Sequence, residues 1–385
     1  MIKVAHLMHS YLAQAETFIW QYIRSFDKSY PIVISTVKEN LDQFPIPRGE
    51  LYSTYGKRLS CSWFIDNWYR RVIKQPLGYA KKIIRKERVS SIHAHFGTVG
   101  CQYLPLLSDL KIPFITSFYG FDLFDNKVLE KFKIEYEILF KSGSQFLVEG
   151  PSMEEKLISI GCPKEKISIQ RIAIDLKNYH FKPNSYDSMY PAKILFVGRF
   201  VEKKGLEYAL RALAKIRNNF TFEFRVIGGG ELEEELRQLA YDLKISQEIK
   251  WMGMQPHKRV IEELYNCDLL LQPSVTAKNG DAEGGAPTII LEAQACGTPV
   301  ISTYHADIPY ITRPRKSALL SDEKDVDSLA QNIIYLLKTP KLFSKMGKAG
   351  SEHVKKYHDI KKEVVVLEKL YQDTIKKYVY KTNQR

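Results

Sequence analysis

The sequence predicts an α/β protein of two domains, each built on a parallel sheet. Three observations carry this. Short apolar runs alternate with segments of helical period along the whole chain, which is the pattern of strand–helix–strand units. The alternation is interrupted once, over Phe181–Tyr190, where Pro183, Asn184, Ser185 and the following Pro191 read as a linker. At 385 residues, each half has enough chain for its own core.

Before the linker, Ile2–Met8, Pro31–Thr36, Ser91–His95, Phe114–Phe118 and Gln145–Val148 read as strands. Ser152–Ile160 reads as a short helix, capped by Ser152 with Glu155 three residues on. After it, strands are expected at Lys193–Val197, Phe222–Ile227, Ile249–Met252, Leu269–Gln272 and Pro299–Thr303. Helices are expected at Leu206–Ile216 and Leu232–Leu243. The tail from Lys361 to Lys377 sets Val364, Leu367, Leu370 and Ile375 at roughly helical spacing. No repeat or low-complexity stretch interrupts the order.

The composition is that of a globular protein, 44% apolar and 26% charged. No apolar run approaches the roughly 20 residues that span a bilayer. MIKVAHLMHS lacks a basic head and a cleavage site, so it reads as a first strand rather than a signal peptide. Five scattered cysteines, in no metal-ligand spacing, suggest free thiols in a reducing, cytoplasmic compartment. The net charge is +13, which suits anionic partners. From Lys57 to Arg88 there are ten basic residues and two acids, with Trp63, Phe64, Trp68 and Tyr69 among them. That mixture fits either peripheral attachment to an anionic membrane or an amphipathic helix with aromatic core residues. A nucleic-acid partner is not expected, since no RNP-type, helix-turn-helix or zinc motif is present.

Chemistry concentrates in DAEGGAPTIILEAQACGTPVIST, Asp281 to Thr303. Glu283 and Glu292 flank the turn Gly284-Gly285-Ala286-Pro287. Pro287 suits the first helical position. The backbone N–H groups of Thr288 and Ile289 would then lack helical partners and, with the helix dipole, favour an anion such as phosphate. Glu292 lies far enough into the helix to accept from ribose hydroxyls. Upstream, Gly198-Arg199-Phe200 closes a strand and Lys204-Gly205 follows, so two cations stand at a strand's C-terminal mouth and could hold a diphosphate. Val226-Ile-Gly228-Gly-Gly-Glu231 is a strand, a glycine loop and a helix start, and by itself says little about nucleotides.

These segments resemble retaining glycosyltransferases of family four, and the likeness extends over nearly the whole chain. It implies the GT-B fold: two Rossmann-like domains facing a central cleft, with a C-terminal helix crossing back to the first. The boundaries implied are 1–182 with 361–385 for the acceptor side and 190–358 for the nucleotide sugar. FVGRFVEKKG resembles the donor-phosphate motif, which assigns Arg199 and Lys204 to the departing diphosphate, beside Gly198. Glu283 would touch the sugar and Glu292 the ribose. This chain places eight residues between the two glutamates where the family places seven. Gly228 would lie near the nucleoside, and the Trp251–Met254 segment would line the base.

In the first half, His93-Ala-His95-Phe resembles the HAHF motif of relatives that build surface polysaccharides, with both imidazoles on one strand face. In SFYGFDLF, Tyr119 stands where many relatives carry histidine, followed by Gly120 and Asp122, and the resemblance implies a catalytic role for Tyr119 and a substrate-ligand role for Asp122. QAETFI resembles a segment in which Glu16 and Thr17 open a helix toward the cleft. Asp325-Val-Asp327 looks like a metal motif but precedes a helical run, so capping is the better reading. The resemblance implies neither metal nor cofactor. The reading is a retaining hexosyl transfer from a nucleoside-diphosphate sugar to a glycan or lipid-linked acceptor. Its rivals are a nucleotide-sugar epimerase of the same fold and a non-catalytic basic scaffold.

Overall fold

A computed structural model describes residues 1–13, 16–53, 61–68, 71–72 and 78–383. The chain divides into two units. Unit 1 comprises Met1–Leu123, Lys127–Ala173 and Ile360–Arg385; unit 2 comprises Phe124–Asn126 and Ile174–Asp359. The change of unit thus falls after Ala173, not at residue 182. The expected linker is anchored within unit 2. Lys182 N–H donates to Cys296 O (3.0 Å), Asn184 Nδ2 donates to Asp268 O (2.9 Å), and Tyr186 stacks on Phe343.

Unit 1 holds β1 (Ile2–Tyr11), β2 (Ser29–Lys38), β3 (Glu50–Ser53), β4 (Ser91–His95), β5 (Phe114–Ser117), β6 (Gln145–Val148) and β7 (Ile167–Ile169). They form one parallel sheet in the order β3-β2-β1-β4-β5-β6-β7. Unit 2 holds β8 (Ala192–Val197), β9 (Phe222–Ile227), β10 (Ile249–Gly253), β11 (Leu269–Gln272), β12 (Val300–Thr303) and β13 (Ala318–Ser321). Its sheet is also parallel, in the order β10-β9-β8-β11-β12-β13. Both sheets are doubly wound. The strand order reverses at β1/β4 and at β8/β11, and such reversals open crevices at the strands' C-terminal ends.

The core of unit 1 gathers Val4, Met8, Val33, Ile115 and Leu147 from the strands. Ile360, Val364, Leu367 and Tyr371 of the C-terminal helix, Ile360–Asn383, join that same core. Glu368 of this helix binds it further, since its Oε1 accepts the backbone N–H groups of Asp27, Lys28 and Ser29 at 2.7–3.0 Å. In unit 2 the helix Leu206–Ile216 buries Leu206, Ala209, Leu210, Leu213 and Ile216, one stripe at helical spacing, against the sheet. The helix Thr288–Cys296 is buried on every side from Ile289 to Cys296. An apolar helix without a polar face belongs inside a fold, and this one is capped by Gly297 in the left-handed region (φ 93°).

Several boundaries differ from expectation. The helix at Pro151–Ser159 starts with Gly150 as its cap and Pro151 at its first position, so Ser152 lies inside it. The short edge strands β3, β7 and β13 and the helix Lys341–Tyr357 were not anticipated from sequence. Asp325 caps the helix Val326–Leu337 by accepting from Ser328 N–H at 2.9 Å, as the capping reading required.

Candidate functional site

The crevice of unit 2 begins where β8 ends. Gly198 N–H continues the ladder to Ile227 O (3.0 Å), and Gly228, at the end of β9, turns with φ 143°. A Cβ on Gly228 would stand 1.8 Å from Gly198 O, so only glycine lets these two loops lie together. Arg199 is exposed. Lys204 closes a single 3-10 turn, and its Nζ donates to Glu283 Oε2 at 2.7 Å. The other carboxylate oxygen of Glu283 accepts from Ser274 Oγ, also at 2.7 Å. Burial works to raise the Glu283 pKa, but Lys204, Ser274 and the more distant Lys203 hold it below the usual carboxylate range. Glu283 is therefore a carboxylate at neutral pH. Lys203, only 8% exposed, donates to Asp281 Oδ1 (2.9 Å) and Ala282 O (3.0 Å), which tethers the start of the glutamate motif.

The turn between the glutamates is buried from Gly284 to Pro287, with Gly284 at φ 77°, a conformation that glycine adopts without strain. Pro287 is the cap and Thr288 the first helical residue, one position later than expected. Ile290 N–H is the first in this helix to find a backbone acceptor, Pro287 O at 3.0 Å. The N–H groups before it point past the turn, which is the anion-binding arrangement of a helix start. Glu292, in the second turn, is buried, and its Oε1 meets His257 Nε2 at 3.1 Å. Tyr179 OH lies 3.3 Å from the same imidazole nitrogen. The hydrogen bond that His257 donates to Glu292 raises the His257 pKa, while burial opposes it. Within the segment expected to line the base, the side chains differ in exposure. Met254 is exposed, whereas Trp251 is packed, with Phe200 against its ring and the Arg237 guanidinium 4.7 Å from its centroid.

Behind Glu283 stand residues that sequence reasoning did not select. Glu283 N–H donates to His305 Nε2 at 3.1 Å, and His305 Nδ1 lies 2.6 Å from Glu323 Oε1. Glu323 Oε2 accepts from Thr276 N–H, again at 2.6 Å. Asp307 N–H donates to Gly285 O at 2.9 Å. These partners lie far apart in sequence, and no local spacing joins them.

The crevice of unit 1 has a different chemistry. His6 of β1 and His93 and His95 of β4 are at most 3% exposed. His6 Nδ1 and His95 Nε2 are 3.0 Å apart, and His95 Nδ1 lies 2.9 Å from Tyr119 OH. His93 bridges Tyr371 OH and Ser117 Oγ, each at 2.7 Å. Burial lowers the pKa of all three, that of His6 to about 3, so the imidazoles are neutral. One ring nitrogen of each lies within 4.8 Å of the others. The His93 and His95 rings are stacked, 4.4 Å apart and 29° from parallel. Both ring nitrogens of His93 and of His95 already have hydrogen-bond partners, so a hydrogen-bonded cluster accounts for the contacts. Tyr119 is held between Phe18 and Phe96, and burial raises its pKa, so its hydroxyl stays protonated. A cavity of about 30 Å³ borders Tyr119, the histidines, Phe18 and Glu149.

Asp122 differs from its expected role as a substrate ligand. It is fully buried, and its two oxygens accept from Gly97 N–H (2.7 Å) and Tyr119 N–H (2.9 Å). It shapes the loop that carries Tyr119, and burial raises its pKa to about 7. Glu16 stands at the N-cap position of the helix Thr17–Ser25 without a side-chain capping hydrogen bond, and burial raises its pKa to about 7 as well. Of the basic aromatic segment, Phe64, Trp68 and Val72 are exposed; Lys57, Tyr69, Arg70 and Lys74 lie outside the described residues.

Comparison with known proteins bears on unit 2 most directly. Residues 179–353 match the family described as Glycosyl transferases group 1. This segment is similar to group 1 glycosyl transferases. Among curated proteins, the amylovoran biosynthesis glycosyltransferase AmsK of Erwinia amylovora is 34% identical over 246 residues, 63% of this chain and 60% of that protein. WcaL of Escherichia coli, named for colanic acid biosynthesis, is 34% identical over 243 residues, 62% of this chain and 59% of the relative. The chain therefore spans about three fifths of the length of these relatives. Among solved structures, a glycosyltransferase from Rickettsia africae superposes with a TM-score of 0.76 at 18% identity, covering 97% of this chain and 99% of that one. Anabaena HepE, solved with UDP and glucose, gives a TM-score of 0.77 at 14% identity, covering 97% and 100%. The chain has the GT-B fold, with two Rossmann-like units.

Proposed function

We propose that the protein is a glycosyltransferase that moves a hexosyl group from a nucleoside-diphosphate sugar to a glycan or lipid-linked acceptor, with retention, in cell-surface polysaccharide assembly. The observation that carries the reading is the Lys204–Glu283 pair at the mouth of β8, within the crevice that also holds Arg199 and the start of the helix Thr288–Cys296. In this reading the diphosphate takes the Lys204 ammonium, the Arg199 guanidinium and the N–H groups of Thr288 and Ile289. These groups stabilise the charge that grows on the leaving phosphate. Freed from Lys204, the Glu283 carboxylate accepts from sugar hydroxyls. The ribose hydroxyls donate to Glu292, in exchange for His257. Unit 1 serves the acceptor, with Tyr119 as a protonated hydrogen-bonding group. No step calls for a metal or cofactor.

The names of AmsK and WcaL support the pathway class. The enzyme would work in the cytoplasm, and the exposed Phe64 and Trp68 suit contact with an anionic membrane surface. The test is product analysis with a panel of nucleotide sugars and no acceptor. Slow release of the free sugar with its anomeric configuration kept is the expected result. An epimeric nucleotide sugar would replace this reading by epimerisation, and no reaction with any donor would favour a scaffold.

A further inference from the structure

The glutamate motif of unit 2 contains a mechanical difficulty. Glu283 precedes two glycines, the residues with the greatest backbone freedom, in a turn one residue longer than the family spacing. A group that contacts a sugar must be held to a fraction of an ångström, because a misplacement of about 1 Å can cost about a hundredfold in rate. Something must fix this backbone, and the loop after β12 does so twice. Asp307 N–H holds Gly285 O at 2.9 Å, and His305 Nε2 faces Glu283 N–H at 3.1 Å.

We propose that His305 and Glu323 are a positioning pair that fixes Glu283 for the sugar of the donor. The proposal rests on the reading of this site given above, and its chemistry follows from donor and acceptor bookkeeping. Glu323 accepts from Thr276 N–H through Oε2 and, as a carboxylate, has no proton to give. Burial works to raise the Glu323 pKa, but the hydrogen bonds from His305 and Thr276 hold it low. Nδ1 of His305, 2.6 Å from Glu323 Oε1, must therefore be the protonated nitrogen. In a neutral imidazole this leaves Nε2 as an acceptor, which is what Glu283 N–H needs. Glu323 thus sets the tautomer, and the tautomer sets Glu283. His305 is 1% exposed, so water does not compete for either nitrogen. Neither residue touches the diphosphate contacts at Arg199 and Lys204 or the ribose contact at Glu292. The pair should act on the sugar and leave nucleotide affinity alone.

This separation provides the test. The full chain is prepared as wild type, Glu323→Gln, His305→Phe and His305→Gln. Binding of UDP and GDP is measured by calorimetry, and kcat and KM for donor turnover are measured alongside. Glu323→Gln can present its amide N–H₂ to Nδ1 and so invert the tautomer. It should lower kcat about tenfold while diphosphate affinity stays within about twofold. His305→Phe should do the same, and His305→Gln, whose carbonyl can accept from Glu283 N–H, should recover part of the loss. In ¹⁵N spectra of the wild type, the imidazole should show Nδ1 protonated and Nε2 bare. A wild-type chain that binds diphosphate and turns over donor, with Glu323→Gln equally fast, would overturn the positioning role alone. So would a loss of diphosphate affinity in step with kcat, which marks general damage to the fold. A wild-type chain that binds neither UDP nor GDP would overturn the reading of the site, and the pair's role with it.

Discussion

In unit 1 the strand order reverses between β1 and β4, and in unit 2 between β8 and β11, so one winding makes a crevice twice. The side chains that fill the two crevices differ in kind. At β1/β4 stand His6, His93 and His95, buried and neutral, joined through Tyr119, Ser117 and Tyr371. At β8/β11 stand Lys204, Glu283 and Ser274, an ion pair and a hydroxyl, with Arg199 exposed nearby. A neutral network can position hydroxyl groups but offers no charge to phosphate. The charged cluster can exchange Glu283 for an anion. The winding fixes where ligands arrive, and the residues at the strand ends decide which chemistry they meet.

The largest expected effect breaks the charged side of this comparison. Lys204→Ala or Arg199→Ala should lower donor turnover by about a hundredfold or more, as loss of charge stabilisation by a few kcal/mol implies. Initial rates with a saturating donor measure it, and near-normal rates in both variants would remove the phosphate clamp. The neutral side should be less sensitive. Tyr119→Phe loses one hydroxyl, the one 2.9 Å from His95 Nδ1, and should lower turnover about tenfold, while Tyr119→His should be partly tolerated. An unchanged rate for Tyr119→Phe would reduce Tyr119 to packing.

A third expectation uses pH to probe the neutral histidines of unit 1. His6 has a pKa of about 3 in the fold and the ordinary imidazole value when unfolded. Below about pH 6.5 the unfolded chain therefore binds a proton that the fold refuses, and the stability due to neutral His6 is lost as pH falls from there toward 3. The loss is about 1.4 kcal/mol per pH unit. Glu16, Asp122 and Glu363, raised to about 7 by burial, work the opposite way, since the fold holds their protons as pH falls below 7. Denaturant titrations of wild type and His6→Gln between pH 7 and 5 isolate the histidine. The wild type should lose about 2 kcal/mol more than the variant. Parallel curves would show that His6 is charged in the fold.

The smallest effect concerns the basic segment Lys57–Arg88. Replacing Arg70, Arg71 and Lys74 with Glu should abolish low-salt sedimentation with anionic vesicles, each cation contributing about 1 kcal/mol near such a surface. Equal binding of the wild type to neutral vesicles would rule out an electrostatic attachment.

The same contrast explains what was legible in the sequence. Leu269–Gln272 was readable to the residue because a strand buried on both faces is an apolar run, and Phe222–Ile227 because its Phe-Glu-Phe-Arg alternation matches a strand with one face less buried. Edge strands β3 and β7 were not, because they are only partly buried and need no apolar run, and β13 was not read either. Arg199, Lys204 and Glu283 could be singled out as candidates because each stands beside a glycine in a local motif, and Glu292 because it lies in the helical run that follows Pro287. The Lys204–Glu283 contact was not, nor were Ser274, His305 and Glu323, which meet only when β8, β11, β12 and β13 align. Asp122 was misjudged for the same reason. A carboxylate in a loop looks like a ligand until the fold shows backbone N–H groups on both oxygens.

The central claim is that the crevice of unit 2 takes a nucleoside diphosphate, with Glu292 on the nucleoside and Glu283 on the sugar. Calorimetric titration of UDP and GDP into wild type, Glu292→Ala and Glu283→Ala tests it most directly. The account predicts that one diphosphate binds the wild type, that Glu292→Ala weakens it about tenfold, and that Glu283→Ala leaves it nearly unchanged. Absence of binding to the wild type, or weakening by Glu283→Ala alone, would contradict it.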